Sequence, residues 1–314
     1  HSFPTRRSSD LVAGPIERTN NLLPQIKAYH EFNYEQATYG LKLMAWGFFK
    51  KLVIADNVAV YVDRVFDNVY NFKGFALILA TFFFTIQIYC DFSGYSDIAI
   101  GCGKLFGFNL MRNFNYPYFS RSIPEFWRRW HISLSGWFRD YVYIPLGGNR
   151  VNSAKHIRNI LIVWLLTGLW HGAAWNFILW GLYYGILLIV EKYFLKRFLD
   201  QWPSFLRHVY TMFLVINGWV LFAFDDISQM GQYLASLFDF SRFIDTAFLY
   251  YLKNYAVNLV IALIASTPFL SRWTEKEHSR PMEAFIGVVQ LALLIIVIGF
   301  MVADTYNPFL YFRF

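Results

Sequence analysis

No Lys, Arg, Asp or Glu occurs between Ile160 and Val190. A helix needs roughly 20 apolar residues to cross a bilayer, and this run is longer than one crossing requires. The reading that fits is two membrane segments joined at or near His171, with Gly168 and Gly172 on either side of the joint. Other apolar runs approach a membrane thickness at about 39–53 (interrupted by lysines), 75–89, 209–224, 255–270 and 285–303. Composition agrees: 56% of the 314 residues are hydrophobic, 21% aromatic and only 16% charged, against roughly 25% charged in a soluble domain. A polytopic, all-α membrane protein follows, in contact with lipid on much of its surface. A water-soluble enzyme is excluded as the default.

The net charge of +7 does not indicate a nucleic-acid partner, because basic residues flanking apolar spans are what the positive-inside rule places on the cytoplasmic face. They concentrate between residues 110 and 158, where Arg112, Arg121, Arg128, Arg129, Arg139, Arg150, Lys155 and Arg158 oppose only Glu125 and Asp140. That stretch is too polar to span conventionally and too aromatic to be a solvated loop, so interfacial or re-entrant helices on the cytoplasmic side are expected. Residues 1–11 have no apolar region or helical period and read as a scar of sequence assembly; 12–314 read as one domain. The two cysteines, Cys90 and Cys102, have no metal-ligand spacing, and no metal site is expected.

His171 is the first candidate for chemistry. An ionisable side chain within an apolar run is costly and by default functional; the alternative is a neutral histidine bonding between helices. The flanking glycines suggest a backbone kept clear for a ligand, and a neutral imidazole is a usable general base for an alcohol attacking a carbonyl. His131 lies in the block Phe126 to Tyr141. If that block is one helix, Trp127 and Ser135 share the histidine's face. Arg128, Arg129 and Arg139 then suit an anionic donor, although interfacial arginines need no catalytic explanation. The Asp91-Phe92-Ser93-Gly94-Tyr95-Ser96-Asp97 block falls where the 75–89 run ends, and helix capping and packing are expected of it rather than a pore lining. Gly101, Gly103 and Gly107 read as helix-packing positions, since no strand precedes them as a dinucleotide site requires. No Gly-x-Ser-x-Gly elbow is present.

Long ordered blocks carry a resemblance. They are Ala13-Gly14-Pro15-Ile16, Phe49 to Asp56, Tyr89 to Asp97, Asn113 to Tyr118, Trp127 to Tyr141, Tyr143-Ile144-Pro145-Leu146-Gly147-Gly148-Asn149 and Gly168 to Ile178. In these the chain resembles the membrane-bound O-acyltransferase superfamily, in its alginate O-acetyltransferase-like bacterial branch. The resemblance implies a ring of tilted transmembrane helices with re-entrant or interfacial helices around a central tunnel, and N-terminal spans that this chain lacks. It matches His171 to the histidine regarded as catalytic and His131 to a second histidine on the cytoplasmic side of the tunnel. A cytoplasmic acyl thioester then meets an acceptor from the other side, so that only the acyl group crosses. By resemblance to cell-wall acylation systems with a C-terminal aromatic tail, Tyr311 is a candidate acyl relay to an extracytoplasmic transferase partner.

The expectation is therefore acetyl transfer from acetyl-coenzyme A, a substrate rather than a bound cofactor, onto an exported polysaccharide or peptidoglycan. The setting is a bacterial cytoplasmic membrane. His171 would be general base and His131 its companion, with Arg128, Arg129, Arg139 and Ser135 toward the donor. D-alanyl transfer from a carrier protein to teichoic acid is the rival within the superfamily. A polysaccharide export component without chemistry is the rival outside it.

Overall fold

The computed structural model of the protein describes residues 14–237, 239, 246–268 and 279–303. Among these the secondary structure is helical, with no strand. In chain order the helices are α1 (Thr19–Lys27), α2 (Tyr34–Phe48), α3 (Asp56–Phe66), α4 (Phe75–Leu105), α5 (Ile123–Arg129), α6 (Ile132–Phe138) and α7 (Ser153–His171). They continue with α8 (Trp175–Val190), α9 (Lys196–Leu199), α10 (Ser204–Ala223), α11 (Ile227–Leu237), α12 (Thr246–Ala265) and α13 (Arg280–Ala303). Five helical stretches among the described residues are long and apolar enough to cross a membrane: Phe75–Leu105, Trp175–Leu199, Ser204–Ala223, Phe248–Ala265 and Arg280–Val302. The last has a mean hydropathy of 2.8 with only 6% of its apolar window buried, which leaves its flanks to lipid. This is a membrane protein.

The expected division of 160–190 is observed. α7 ends on His171, residues 172–174 turn, and α8 begins at Trp175. α7 itself is not one of the five spans, because its first turns carry Lys155 and Arg158. The 39–53 run becomes α2 followed by a π-helical turn, Phe49–Ala55, and likewise falls outside the five.

The chain divides into two compact units. One holds residues 14–57, 87–114 and the described part of 261–314; the other holds 58–86 and 115–260. In the first, α2 and the later part of α4 run antiparallel with backbones in contact. A Cβ on Gly40 would lie 2.6 Å from the Gly101 carbonyl oxygen, and one on Gly47 would lie 2.6 Å from that of Gly94. Glycine is required here because there is no space for any side chain. Farther along this seam the π turn sets Lys50 against Asp97 (2.5 Å) and Ser93 (3.2 Å), and Lys51 against Asp91 (2.8 Å) and Asp56 (2.7 Å). These pairs correct the expectation that the span ends near Tyr89 and that the Asp91–Asp97 block caps it, while the packing expected of the block is seen at Gly94 against Gly47. The carboxylates lie inside a 31-residue helix, and the lysines facing them remove the electrostatic reason to stop. Of the three later glycines, Gly101 is a packing position as expected, while Gly107 adopts a φ of +83° just beyond α4.

In the second unit α7 and α8 form an antiparallel hairpin. A Cβ on Gly168 would strike the Phe177 carbonyl oxygen, and one on Gly181 the Trp164 carbonyl oxygen. α10 packs on α8, with the Tyr183 hydroxyl donating to the Leu214 carbonyl at 2.9 Å.

Candidate functional site

Local chemistry places His171. Gly172, at the end of α7, has its N–H on the Gly168 carbonyl at 3.3 Å, and the chain then turns into α8. His171 is half-buried as a residue, and its imidazole sits among rings: Trp170 at 4.9 Å between centroids, Trp180 at 5.0 Å, Phe222 at 5.3 Å and Phe177 at 6.2 Å. Phe222 is held there by Asn176, whose side-chain amide donates to the Phe222 carbonyl and the Asp225 carboxylate, both at 3.2 Å. Gly168 and Gly172 do not clear room for a ligand. The space beyond each Cα is filled by the Phe177 backbone and the Phe177 ring respectively, so their expected role is corrected to close packing of the hairpin.

His131 reaches the same place by a different route. The Phe126–Tyr141 block is not one helix. Trp130 is extended and His131 adopts φ +43°, ψ +56°, separating α5 from α6. Trp127 and Ser135 therefore do not share a face with His131; Ser135 Oγ instead turns to the Trp130 carbonyl at 3.5 Å. The break is fixed from outside, by the Asn115 N–H donating to the Arg129 carbonyl at 2.9 Å. A left-handed histidine costs about 1–3 kcal/mol, and such residues cluster at functional sites. His131 is only 2% exposed, and its ring lies 5.9 Å from that of Trp170, so Trp170 touches both histidines. Burial, reinforced by the nearby His171 imidazole, holds the His131 pKa well below the ordinary 6.5. His131 is thus a neutral group.

Around the pair stands an aromatic cluster that sequence reading missed. Trp180 is its hub, 5.5 Å from Trp127, 6.0 Å from Trp164, 6.4 Å from Trp219 and 5.4 Å from Tyr184. The indole N–H groups of Trp127, Trp180 and Trp219 are buried and have no hydrogen-bond partner among the described residues. A buried donor left unmade costs about 1–3 kcal/mol, and of the three Trp180 is the one whose ring contacts His171. The available signal was the density of Trp in the 127–219 stretch, which membrane interfaces also produce.

Arg128 is exposed on a cleft of about 800 Å³. Arg129 pairs with Glu125 at 2.8 Å, and Arg139 pairs with Asp140 at 2.7 Å on the surface. Tyr311 and residues 1–11 lie outside the described residues. No group of three or more His, Cys, Asp or Glu able to hold a metal occurs among the described residues.

The sequence profile of the membrane-bound O-acyltransferase family matches residues 7–230. The chain belongs to that family. It is 43% identical over 233 residues to a protein of Azotobacter vinelandii named as a probable alginate O-acetylase, covering 73% of this chain and 46% of the relative. To a peptidoglycan O-acetyltransferase of Helicobacter pylori it is 42% identical over 217 residues, covering 68% and 41%. To a teichoic acid D-alanyltransferase of Bacillus subtilis it is 29% identical over 237 residues, covering 70% and 59%. The chain spans about half the length of these relatives, and the resemblance read from the motifs is confirmed at the level of the family.

Proposed function

We propose that the protein is a bacterial cytoplasmic-membrane O-acetyltransferase, moving acetyl from cytoplasmic acetyl-coenzyme A toward a hydroxyl of an exported polysaccharide or peptidoglycan. The observation that carries this reading is the pairing of His131 and His171 through Trp170, inside a chain of this family. His171 is the general base. As the acceptor oxygen bonds to the thioester carbonyl carbon, its proton passes to the imidazole; the C–S bond then breaks, and the leaving sulfur takes that proton. Base catalysis of this kind is worth about 10²–10⁴-fold. Neutral His131 orients a reactant, and the Trp180 N–H is a donor for the carbonyl oxygen as it gains charge. Handing the acetyl group to an extracytoplasmic transferase, through Tyr311 as a relay, completes the route.

Greater identity to the acetylating relatives than to the D-alanylating one favours acetyl over D-alanyl. Membranes carrying the protein are incubated with acetyl-labelled acetyl-coenzyme A, comparing wild type, His171→Ala and Tyr311→Phe for coenzyme A release and retained label. His171→Ala is expected to lose at least about 100-fold in release. Wild-type turnover in that variant refutes base catalysis, and label retained in Tyr311→Phe refutes the relay. No release from the wild type refutes acetyl-coenzyme A as donor.

A further inference from the structure

The cleft beside Arg128 lies entirely within the second unit, between α5, the start of α7 and the end of α8. Its volume of about 800 Å³ falls in the range of small-molecule sites. Its charge is lopsided. Arg121, Arg128, Lys192, Lys196 and Arg207 line it, against Glu125, Glu191 and Asp200. Two of those carboxylates are already engaged. Glu125 pairs with Arg129, outside the lining, and buried Glu191 accepts the Ile123 N–H at 3.1 and 3.2 Å and the Tyr210 hydroxyl.

The cations are less committed. Arg207 Nε is buried with no hydrogen-bond partner among the described residues. Lys192 meets no carboxylate there; its ammonium donates to His156 Nε2 at 3.1 Å. The ammonium also lies 3.5 Å from His156 Nδ1, and that nitrogen faces the Tyr193 hydroxyl at 2.8 Å. His156 Nε2 also meets the hydroxyl of Tyr143 at 2.8 Å. Tyr143 heads the Tyr143–Asn149 motif, whose Leu146 and Gly148 carbonyls are held by Asn159 at 3.0 and 3.2 Å. Tyr143 of the motif thus lines the cleft and meets His156, which in turn contacts Lys192. Trp164 also lines the cleft, and it touches Trp127 and Trp180 of the aromatic cluster at 4.6 and 6.0 Å.

We propose that this cleft binds the phosphate-bearing end of the acyl donor, a phosphorylated pantetheine thioester, with Lys192 and Arg207 as principal contacts and Arg121, Arg128 and Lys196 supplying field. The proposal rests on the acyl-transfer reading above and adds where and by what chemistry the donor is held. The guanidinium of Arg207 suits a phosphate by its fork geometry and Lys192 by its point charge. Trp164, which lines the cleft, contacts Trp180, and Trp180 contacts His171.

The test measures binding to the purified full chain in nanodiscs, using coenzyme A, 4′-phosphopantetheine and pantetheine as probes. The first two are expected to bind, and pantetheine at least tenfold more weakly. Lys192→Gln, Lys196→Gln and Arg207→Gln should each weaken coenzyme A, the first and last by tenfold or more. Lys192→Arg should restore most of it, and Arg197→Gln, at an exposed position outside the lining, should change nothing. Unchanged coenzyme A affinity in the Lys192 and Arg207 variants, or pantetheine binding as tightly as its phosphate, overturns the proposal. Anionic lipid is the other source of phosphate. If phosphatidylglycerol discs abolish coenzyme A binding seen in phosphatidylcholine discs, the cleft is a headgroup site and the proposal falls. His171→Ala separates the two readings. It should bind coenzyme A normally while losing turnover, and a cleft that binds in a wild type unable to turn over acetyl-coenzyme A supports this inference and overturns the function.

Discussion

Gly168 sits one helical turn before His171, and replacing it with Ala tests whether hairpin packing sets the position of the base. The added Cβ would lie well inside 3.0 Å of the Phe177 carbonyl oxygen and 3.2 Å from its carbonyl carbon, where ordinary contact begins at 3.4 Å. Both obstacles are backbone, so no rotamer change relieves them and α7 must part from α8 by roughly 0.6–1 Å. Overpacking of this kind costs about 1–3 kcal/mol; Ala gains back about 0.5–1 kcal/mol over Gly within a helix, leaving a net loss of up to about 2.5 kcal/mol. Misplacing a catalytic group by 1 Å costs about 10²-fold, so this shift should reduce turnover roughly tenfold to 10²-fold. The control is Gly231→Ala, at an exposed position of α11 with nothing within 4 Å of its Cβ, which should raise stability by about 0.5–1 kcal/mol and leave turnover alone. Thermal unfolding in detergent and coenzyme A release from acetyl-coenzyme A read out both variants. If Gly168→Ala melts and turns over like wild type, close backbone contact does not position His171.

Three further outcomes are expected. Lys50→Met should destabilise by about 3 kcal/mol, the lower end for a broken buried pair, because the Asp97 side chain keeps 21% exposure; adding Asp97→Leu should recover most of it, and a double variant no better than the single refutes a charge-pairing role. Folded His131 resists a proton that the unfolded chain accepts below pH 6.5, so its contribution to stability should be level above that pH and fall by up to about 1.4 kcal/mol per unit as pH drops below it. His131→Asn should make the stability slope shallower in denaturant titrations between pH 7 and 5, and identical slopes would refute it. Trp180→Phe removes the buried N–H while keeping a ring, and should cut turnover by about 10²-fold with donor affinity nearly unchanged; equal turnover in a folded variant excludes Trp180 as the carbonyl donor.

Period and polarity along the chain determined that this is a helical membrane protein, that 160–190 divides at His171, and that 110–158 differs from its surroundings. Those are one-dimensional properties: a bilayer imposes a length and a polarity that can be counted. Tertiary structure decided the rest. The Asp91–Asp97 block looked like a span's end because carboxylates oppose membrane insertion, yet Lys50 and Lys51, some 40 residues earlier, allow the helix to continue. The sequence leaves open whether His131 and its neighbours form one helix, since no Gly or Pro marks the break; the left-handed turn is held by Asn115, outside the block. Gly168 and Gly172 looked like space for a ligand, but Phe177 occupies that space. Spacing within a segment can place a side chain on a face, whereas the partner that neutralises it, blocks it or bends it comes from another segment, and only folding brings that partner near.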